Sequence, residues 1–254
     1  MEFEFREDAS SYSAGSQKAR VWSEAWVLRE MYCPACGHRP LTDFANNQPV
    51  ADFFCAKCRE QFELKSKKGK TFGKKITDGA YATMMERLGS DSVPSLMMLR
   101  YDAGEKQVRD LAVIPKPFFT PDIIERRKPL AATARRAGWV GCNILIHKVP
   151  KAGRIDLVRD QVARPVDDVL DAWHRTEFLR SKVGTSRGWV LDVLTCVEAL
   201  GPGEFTLAEV YAFENTLSAL HPENNNVRPK IRQQLQVLRD AGLVEFLGRG
   251  RYRA

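Results

Sequence analysis

Four of the six cysteines of this chain form two close pairs, and this arrangement constrains the fold more than any other feature of the sequence. The pairs are Cys33-x-x-Cys36 and Cys55-x-x-Cys58. The two thiolates of such a pair can reach one ion, and two pairs supply the four sulfur ligands of a tetrahedral structural zinc. Because protein atoms fill all four positions, we expect zinc to fold this segment rather than to take part in chemistry.

Other interpretations of the cysteines remain. The pairs can be redox-active or simply buried, and His38 can replace one of the sulfurs as a ligand. Cys142 and Cys196 stand alone, which is typical of buried free thiols. The chain has no apolar run of membrane-spanning length, and its acidic start is unlike a signal peptide. We therefore expect a cytoplasmic protein, in which close cysteine pairs indicate metal rather than disulfides.

Length and charge set the broad class. A chain of 254 residues is long enough for two domains of moderate size. Its balance of 44% hydrophobic and 28% charged residues excludes a collagenous, wholly disordered or coiled-coil protein. The formal net charge of +7 is compatible with nucleic acid as a partner, although many basic proteins never bind it.

The pattern of elements divides the chain into residues 1–184 and 185–254. The first part is an α/β domain with a loose lead-in at 1–15, a helix at 16–32 carrying the stripe Val21, Ala25, Leu28 and Tyr32, and short strands at 50–54 and 61–65. Its other predicted elements are helices at 78–88 and 166–179 and strands at 95–101, 107–114, 139–146 and 154–158.

The second part follows the order of a winged helix-turn-helix. A helix at 190–200 precedes a second helix that the capping box of Thr206 and Glu209 opens. A third helix carries an apolar stripe and ends at Gly242, before two short strands around residues 248–250. The stripe is Val227, Ile231, Leu235 and Leu238.

Three charged residues flank the second cysteine pair. Asp52 precedes it, and Glu63 and Lys65 follow it. If the strands at 50–54 and 61–65 are neighbours, side-chain alternation puts Glu63 and Lys65 on one face, and pairing brings Asp52 beside them. Two carboxylates bind a hard divalent cation, and the ammonium orients or deprotonates an attacking water. The alternative is a hairpin whose charged residues face solvent.

Polar residues of the second domain are candidates for DNA contact. The third helix presents Arg228, Arg232, Gln233, Gln236 and Arg239 opposite its apolar stripe, and the wing carries Arg249 and Arg251. Arginine matches guanine and glutamine matches adenine in the major groove, whereas the wing arginines suit phosphate or the minor groove. A solvated amphipathic face, or a winged helix that binds protein, is the alternative.

In the first domain, Arg135, Arg136 and Trp139 join two cations to a large aromatic ring. The ring can stack on a base or form an apolar wall for a methyl group, or it can fill the core. The lysine-rich stretch 67–75 suits non-specific attraction to phosphates near the predicted catalytic strand, and the alternative is a solvated lysine loop. Its lysines are Lys67, Lys68, Lys70, Lys74 and Lys75.

Longer segments resemble the DpnI-like family of methyl-directed type II restriction endonucleases over nearly the whole chain. They are CPACGHRPL, NNQPVADFFCAKC, FELKSKKGK, DGAYATMMERL, KPLAATARRAGWVGCNI and IRQQLQVLRDAGLVEFLGRGRYR. The resemblance implies a PD-(D/E)XK nuclease core with an inserted zinc ribbon-like module, followed by a winged helix-turn-helix. Ala51 stands where the superfamily motif has proline, but the metal ligand is the following aspartate.

The resemblance also implies an activity. Asp52 and Glu63 would bind magnesium, Lys65 would complete the catalytic set, and the substrate would be double-stranded DNA with N6-methyladenine in GATC, cut by a monomer. Two rival hypotheses are a non-catalytic zinc and winged-helix regulator that binds DNA, and a methyl-dependent nuclease with another target sequence.

Overall fold

The structure is a computed structural model that describes residues 1–44, 51–182 and 184–254. The chain separates into two compact units, which are Met1–Val149 with Gly153–His174, and Pro150–Ala152 with Arg175–Ala254. The short segment 150–152 joins the second unit because the backbone N–H groups of Lys151 and Ala152 donate to the Glu198 carboxylate at 2.7 and 3.0 Å.

Within the described residues, the first unit contains three α-helices and ten strands, and the second contains four α-helices and three strands. The helices are α1 (Gly15–Glu30), α2 (Tyr81–Gly89), α3 (Val166–His174), α4 (Gly184–Ala199), α5 (Leu207–Tyr211), α6 (Glu214–Leu220) and α7 (Val227–Asp240). The strands are β1 (Thr42–Asp43), β2 (Phe53–Phe54), β3 (Gln61–Lys68), β4 (Ile76–Ala80), β5 (Ser95–Asp102), β6 (Gln107–Ile114), β7 (Ile124–Arg126), β8 (Gly141–Ile144), β9 (Ile155–Arg159), β10 (Val162–Ala163), β11 (Glu204–Thr206), β12 (Glu245–Gly248) and β13 (Arg251–Arg253). Short 3-10 helices lie at Lys116–Phe118, Pro121–Ile123, Ile146–Lys148, Lys151–Gly153 and Glu177–Ser181.

The main sheet of the first unit has the strand order β1-β2-β3-β5-β6-β9-β10. Strands β3 and β5 are parallel, and the other neighbours are antiparallel. Helix α1 packs on β3 and α3 on β9, and both bury large side chains in one core cluster. Within that core the rings of Phe62 and Trp173 lie 6.3 Å apart, edge to face. This sheet therefore fixes β3, the strand that carries Glu63 and Lys65.

A second, three-stranded sheet has the order β4-β8-β7. Its strands are antiparallel, and the register of β4 on β8 shifts between Asp78 and Ala80, which face Cys142 and Gly141. Such a bulge inserts one extra residue, here Gly79, and changes the direction of neighbouring side chains.

Several local expectations for the first unit are wrong. The lead-in at 1–15 is not loose, because Glu4 bridges to Gln107 and Phe5 is buried. The buried face of α1 is Ala19, Ser23, Trp26 and Val27, not the predicted stripe. Ser23 tolerates burial because its hydroxyl donates to the Ala19 carbonyl at 2.6 Å.

The helix predicted at 78–88 begins only at Tyr81, since residues 76–80 form β4. The helix predicted at 166–179 ends at His174, and the strand predicted at 139–146 is confined to β8. Of the strand predicted at 50–54, Phe53–Phe54 form β2, and Val50 lies outside the described residues.

The second unit contains the predicted helix-turn-helix. The capping box of Thr206 and Glu209 and the buried stripe of α7 are both confirmed. Gly242 follows the helix with φ +71°, a conformation that glycine adopts without strain. The wing strands β12 and β13 pair with each other, and β11, which was not predicted, pairs with the other edge of β13. The predicted second helix is two short helices, α5 and α6.

Candidate active site and metal centre

The four paired cysteines converge on one point. Their sulfur atoms all lie within 4.8 Å of one another. The Sγ atoms of Cys33 and Cys58 are 3.5 Å apart, and those of Cys36 and Cys55 are 3.6 Å apart. A tetrahedral zinc with bonds of about 2.3 Å separates its sulfurs by about 3.8 Å. The donor atoms and their spacing therefore fit one zinc ion.

The backbone forms equivalent turns at the two cysteine pairs. The N–H groups of Cys33 and Cys55 donate to the carbonyls of His38 and Glu60, each at 2.9 Å. Gly37 and Arg59, which follow the second cysteine of each pair, have φ of +73° and +66° and donate to the carbonyls of Cys33 and Cys55. Thus His38 closes the first turn through its backbone, and its ring is not part of the metal-ligand group found among the described residues.

Burial affects the thiols of this cluster. It raises the pKa of the Cys33 thiol, and partial desolvation raises the pKa of the more exposed Cys58 to about 11. At Cys55, burial acts to raise the pKa, but hydrogen bonds from the backbone N–H groups of Cys58 and Lys57 outweigh it and lower the pKa. Buried thiolates need a positive partner, which a bound zinc ion supplies.

Asp52, Glu63 and Lys65 line one open cavity of ≈ 430 Å³. Strand β3 holds Glu63 and Lys65, and Asp52 lies one residue before β2, which pairs with β3. The Asp52 N–H donates to the carbonyl of Phe62 at 2.9 Å, and its carboxylate accepts from the Leu64 N–H at 2.6 Å. These two bonds fix the aspartate beside β3, so the structure brings the three predicted residues together.

Electrostatic contacts connect Glu63 and Lys65. The Lys65 Nζ lies 2.5 Å from a Glu63 carboxylate oxygen. Burial raises the pKa of Glu63, which the Lys65 charge opposes and the Asp78 and Asp52 charges reinforce. For Lys65, burial lowers the pKa, but the charges of Glu63 and Asp78 outweigh it and raise the pKa above its ordinary value. Lys65 is therefore a cation in this arrangement, and its chemistry is that of a hydrogen-bond donor and charge stabiliser.

The loop between β7 and β8 carries the predicted aromatic candidate. Trp139 is half-buried and outside the hydrophobic core, and the exposed Arg136 guanidinium lies 4.8 Å from its ring centroid. Arg135 is also exposed. A Cβ added to Gly141 would lie 2.8 Å from two atoms of the Trp139 ring, so this glycine lets the ring lie against the sheet.

Helix α7 presents a polar face. Its predicted contact residues Arg228, Arg232, Gln233 and Gln236 are all exposed, opposite the buried stripe. The Arg228 guanidinium lies 5.2 Å from the Tyr211 ring centroid, and Arg232 donates to the Tyr211 hydroxyl at 2.9 Å. In the wing, Arg249 is exposed with φ +50°, and Arg251 forms an ion pair with Glu204.

Comparison with known families decides what kind of chain this is. The model of the Dam-replacing family, DpnI, matches residues 1–182. The chain belongs to the Dam-replacing family. A second model, of the Dam-replacing HTH domain, matches residues 185–254. The resemblance found in the sequence is confirmed, and membership implies a restriction endonuclease whose helix-turn-helix domain binds DNA.

In this Dam-replacing protein the structure adds an acid that sequence reasoning missed. The Asp78 Oδ1 lies 2.7 Å from the Lys65 Nζ, and the Asp78 side chain is only 8% exposed. The residue looked like the start of a helix, and the segment 76–80 has no apolar–polar alternation that would indicate a strand.

Helix α1 adds a further missed pair at the cavity. Arg20 and Glu24 both line it, with the Arg20 Nε 2.8 Å from the Glu24 carboxylate. Burial raises the pKa of Glu24, Arg20 opposes this, and the charge of Asp52 adds to it. This face of α1 was missed because a polar helical face is usually solvated. No helix in the described parts of this Dam-replacing protein is both long and apolar enough to span a bilayer.

Proposed function

We propose that this protein is a type II restriction endonuclease that uses Mg²⁺ to cut both strands of DNA at GATC sites whose adenine is N6-methylated. The observation that carries the proposal is that Asp52, Glu63 and Lys65 line one cavity in a chain of the Dam-replacing family.

Asp52 and Glu63 are the residues that would hold the magnesium. Carboxylate oxygens are the ligands this ion prefers, and the open cavity has room for its remaining waters and for a DNA phosphate. When bound, the ion supplies Lewis-acid polarisation of the phosphate and lowers the pKa of a coordinated water.

The protein's own groups contribute orientation and charge. The Leu64 N–H holds the Asp52 carboxylate in one position, so that oxygen is preorganised. The Lys65 ammonium orients the attacking water and stabilises the negative charge that develops on the phosphate. Attack forms a bond between water oxygen and phosphorus while the bond from phosphorus to the leaving oxygen breaks in line with it. The proton that the water loses passes to solvent, because Lys65 is already protonated, and the leaving oxygen takes up a proton from solvent.

The four clustered cysteines support the arrangement of Asp52, Glu63 and Lys65 from outside the cavity. Cys55 directly follows β2, and Cys58 lies just before β3, so the second cysteine pair forms the turn between the two strands. A zinc ion on this turn would fix the distance between Asp52 and Glu63. Its role is structural, since four sulfurs leave no open coordination position.

Recognition is divided between two surfaces in this proposal. The polar face of α7 reads bases in the major groove, and the wing arginines contact the backbone. The Trp139 ring offers an apolar wall for the methyl group. Burial of one methyl group stabilises a complex by only about 1 kcal/mol, so discrimination at one surface alone would be modest. Strong dependence on the methyl group therefore requires that both surfaces discriminate, because their effects multiply.

Plasmid DNA from adenine-methylating and non-methylating hosts tests the proposal. With Mg²⁺, the protein should cut only the methylated plasmid, and Lys65→Ala should abolish cutting while DNA binding is retained. Lys106→Ala is the matched control, because this exposed lysine lies in the turn between β5 and β6 and does not line the cavity. Equal resistance of both plasmids would refute the nuclease and favour the DNA-binding regulator. Equal cutting would refute the methyl requirement.

A further inference from the structure

The ammonium of Lys65 has two carboxylate partners, and they come from different sheets. Glu63 lies two residues away on β3, at 2.5 Å, and Asp78 lies on β4 of the three-stranded sheet, at 2.7 Å. Asp78 is the more buried of the two acids, with 8% of its side chain exposed against 22% for Glu63. A charge this buried needs a partner of opposite sign, and Lys65 provides it.

The position of Asp78 is set by β4 and β8. Asp78 pairs with Cys142 on β8, next to the bulge formed at Gly79. Bulges redirect side chains and are frequent beside active sites. The Cys142 thiol approaches the Gly79 carbonyl at 3.6 Å, which places the bulge directly against β8. Asp78 is thus fixed independently of β3, the strand on which Lys65 lies.

We propose that Asp78 is a positioning residue for Lys65, which holds its ammonium in the cavity while Glu63 serves the divalent cation. The inference rests on the proposed function. In the structure the Glu63 carboxylate contacts Lys65 directly. A cation held by Glu63 competes with Lys65 for that carboxylate, because both positive charges seek the same oxygens. Asp78 keeps its contact with Lys65 under those conditions and prevents the flexible side chain from leaving the cavity.

Two other roles for Asp78 make different predictions. As a further ligand of the cation, Asp78 would be needed for metal binding. As a purely structural residue, it would be needed for folding and therefore for DNA binding. A positioning residue is needed for neither, but it is needed for the cleavage step.

The test compares Asp78→Asn and Asp78→Glu with the intact protein on a methylated GATC duplex, with the protein in excess and Mg²⁺ saturating. Asp78→Asn keeps the shape but removes the charge, and we expect its single-turnover rate to fall between about tenfold and a hundredfold. Asp78→Glu restores the charge one methylene further out and should give an intermediate rate. DNA affinity without metal, and the Ca²⁺ concentration that half-saturates the DNA complex, should stay within about threefold of the intact protein.

Asp110→Asn is the matched control. Asp110 forms a similarly half-buried ion pair with Arg100 on the main sheet, outside the cavity. The Asp110→Asn protein should cut the methylated duplex at the rate of the intact protein.

Each remaining outcome contradicts a specific part of the account. A folded Asp78→Asn or Asp78→Glu protein that cuts at the intact rate overturns the positioning role, and so does loss of the Ca²⁺ response or of DNA binding in either folded variant. If Asp78→Asn does not fold, Asp78→Glu decides alone. Failure of the proposed function looks different, because then the intact protein does not cut or Lys65→Ala cuts as well as it does.

Discussion

At the residue scale, Gly141 is the point where the three-stranded sheet meets the Trp139 ring. Its missing side chain leaves space that a Cβ would occupy 2.8 Å from the ring atoms Cη2 and Cζ3. An aromatic ring cannot bend to make room, so it must shift as a whole. The residue thus controls the position of the one large aromatic side chain predicted to contact DNA in the first unit.

We predict that Gly141→Ala displaces Trp139 and weakens recognition. If the ring stacks on a base or on the methyl group, its loss costs about 1–3 kcal/mol, and we expect the cleavage rate on methylated duplex at low protein concentration to fall between about fivefold and 150-fold. Trp139→Ala should give a comparable loss. Gly89→Ala is the control, because a Cβ there meets nothing within 4 Å. An unchanged rate in folded Gly141→Ala would show that Trp139 does not contact the DNA.

At the element scale, the two cysteine turns, at 33–36 and 55–58, connect the sheet to the predicted catalytic residues. The turn at 55–58 joins β2 to β3, and the turn at 33–36 follows α1. The four sulfurs belong to two turns that 18 residues separate, so a zinc ion bound by them would replace much of the packing that such small loops lack.

We predict that Cys36→Ser loses the zinc and destabilises the protein by more than about 3 kcal/mol, since loss of a structural metal is among the largest single-site effects. Metal analysis should find one zinc per chain in the intact protein and none in this variant, whose thermal unfolding should begin at a lower temperature. Cys196→Ala, which removes a buried thiol on α4, should keep the zinc. Equal zinc content in the intact and Cys36→Ser proteins would contradict the four-sulfur site.

The elements also show what the sequence can reveal. The cysteine spacing, the capping box of Thr206 and the stripe of α7 are local signals, and the structure contains all three features. The grouping of Asp52, Glu63 and Lys65 could be predicted because β2 and β3 are joined by a short turn. The contribution of Asp78 could not be predicted, because Asp78 lies on β4 of the three-stranded sheet and Lys65 on β3 of the main sheet. No local signal in either segment shows that the two strands meet.

At the scale of the whole molecule, positive charge is distributed over both units. The net charge of +7 supplies general attraction to DNA, while base contacts supply discrimination. Arg249, exposed in the wing, is predicted to contact phosphate, whereas Arg232 on α7 is predicted to contact a base. The two roles differ in their response to salt.

We predict that Arg249→Gln lowers the slope of log affinity against log salt by about 1 and weakens binding to every sequence alike. Arg232→Ala should instead cost about 1–3 kcal/mol on GATC DNA and relax specificity. Arg6→Gln is the control, because this exposed arginine pairs with Glu2 near the start of the chain. Binding titrations from low to moderate salt distinguish these effects, and an unchanged slope for Arg249→Gln would contradict the phosphate contact.

The central claim is that two acids and one lysine in a single cavity hydrolyse methylated DNA. Its most direct test is a single-turnover digestion of defined GATC duplexes that are unmodified, methylated on one strand or methylated on both, with Mg²⁺ or with a chelator. We predict that the fully methylated duplex is cut in both strands only with Mg²⁺ and that the unmodified duplex stays intact. The Asp52→Asn, Glu63→Gln and Lys65→Ala proteins should bind without cutting. Cleavage that persists in all three variants would contradict the central claim.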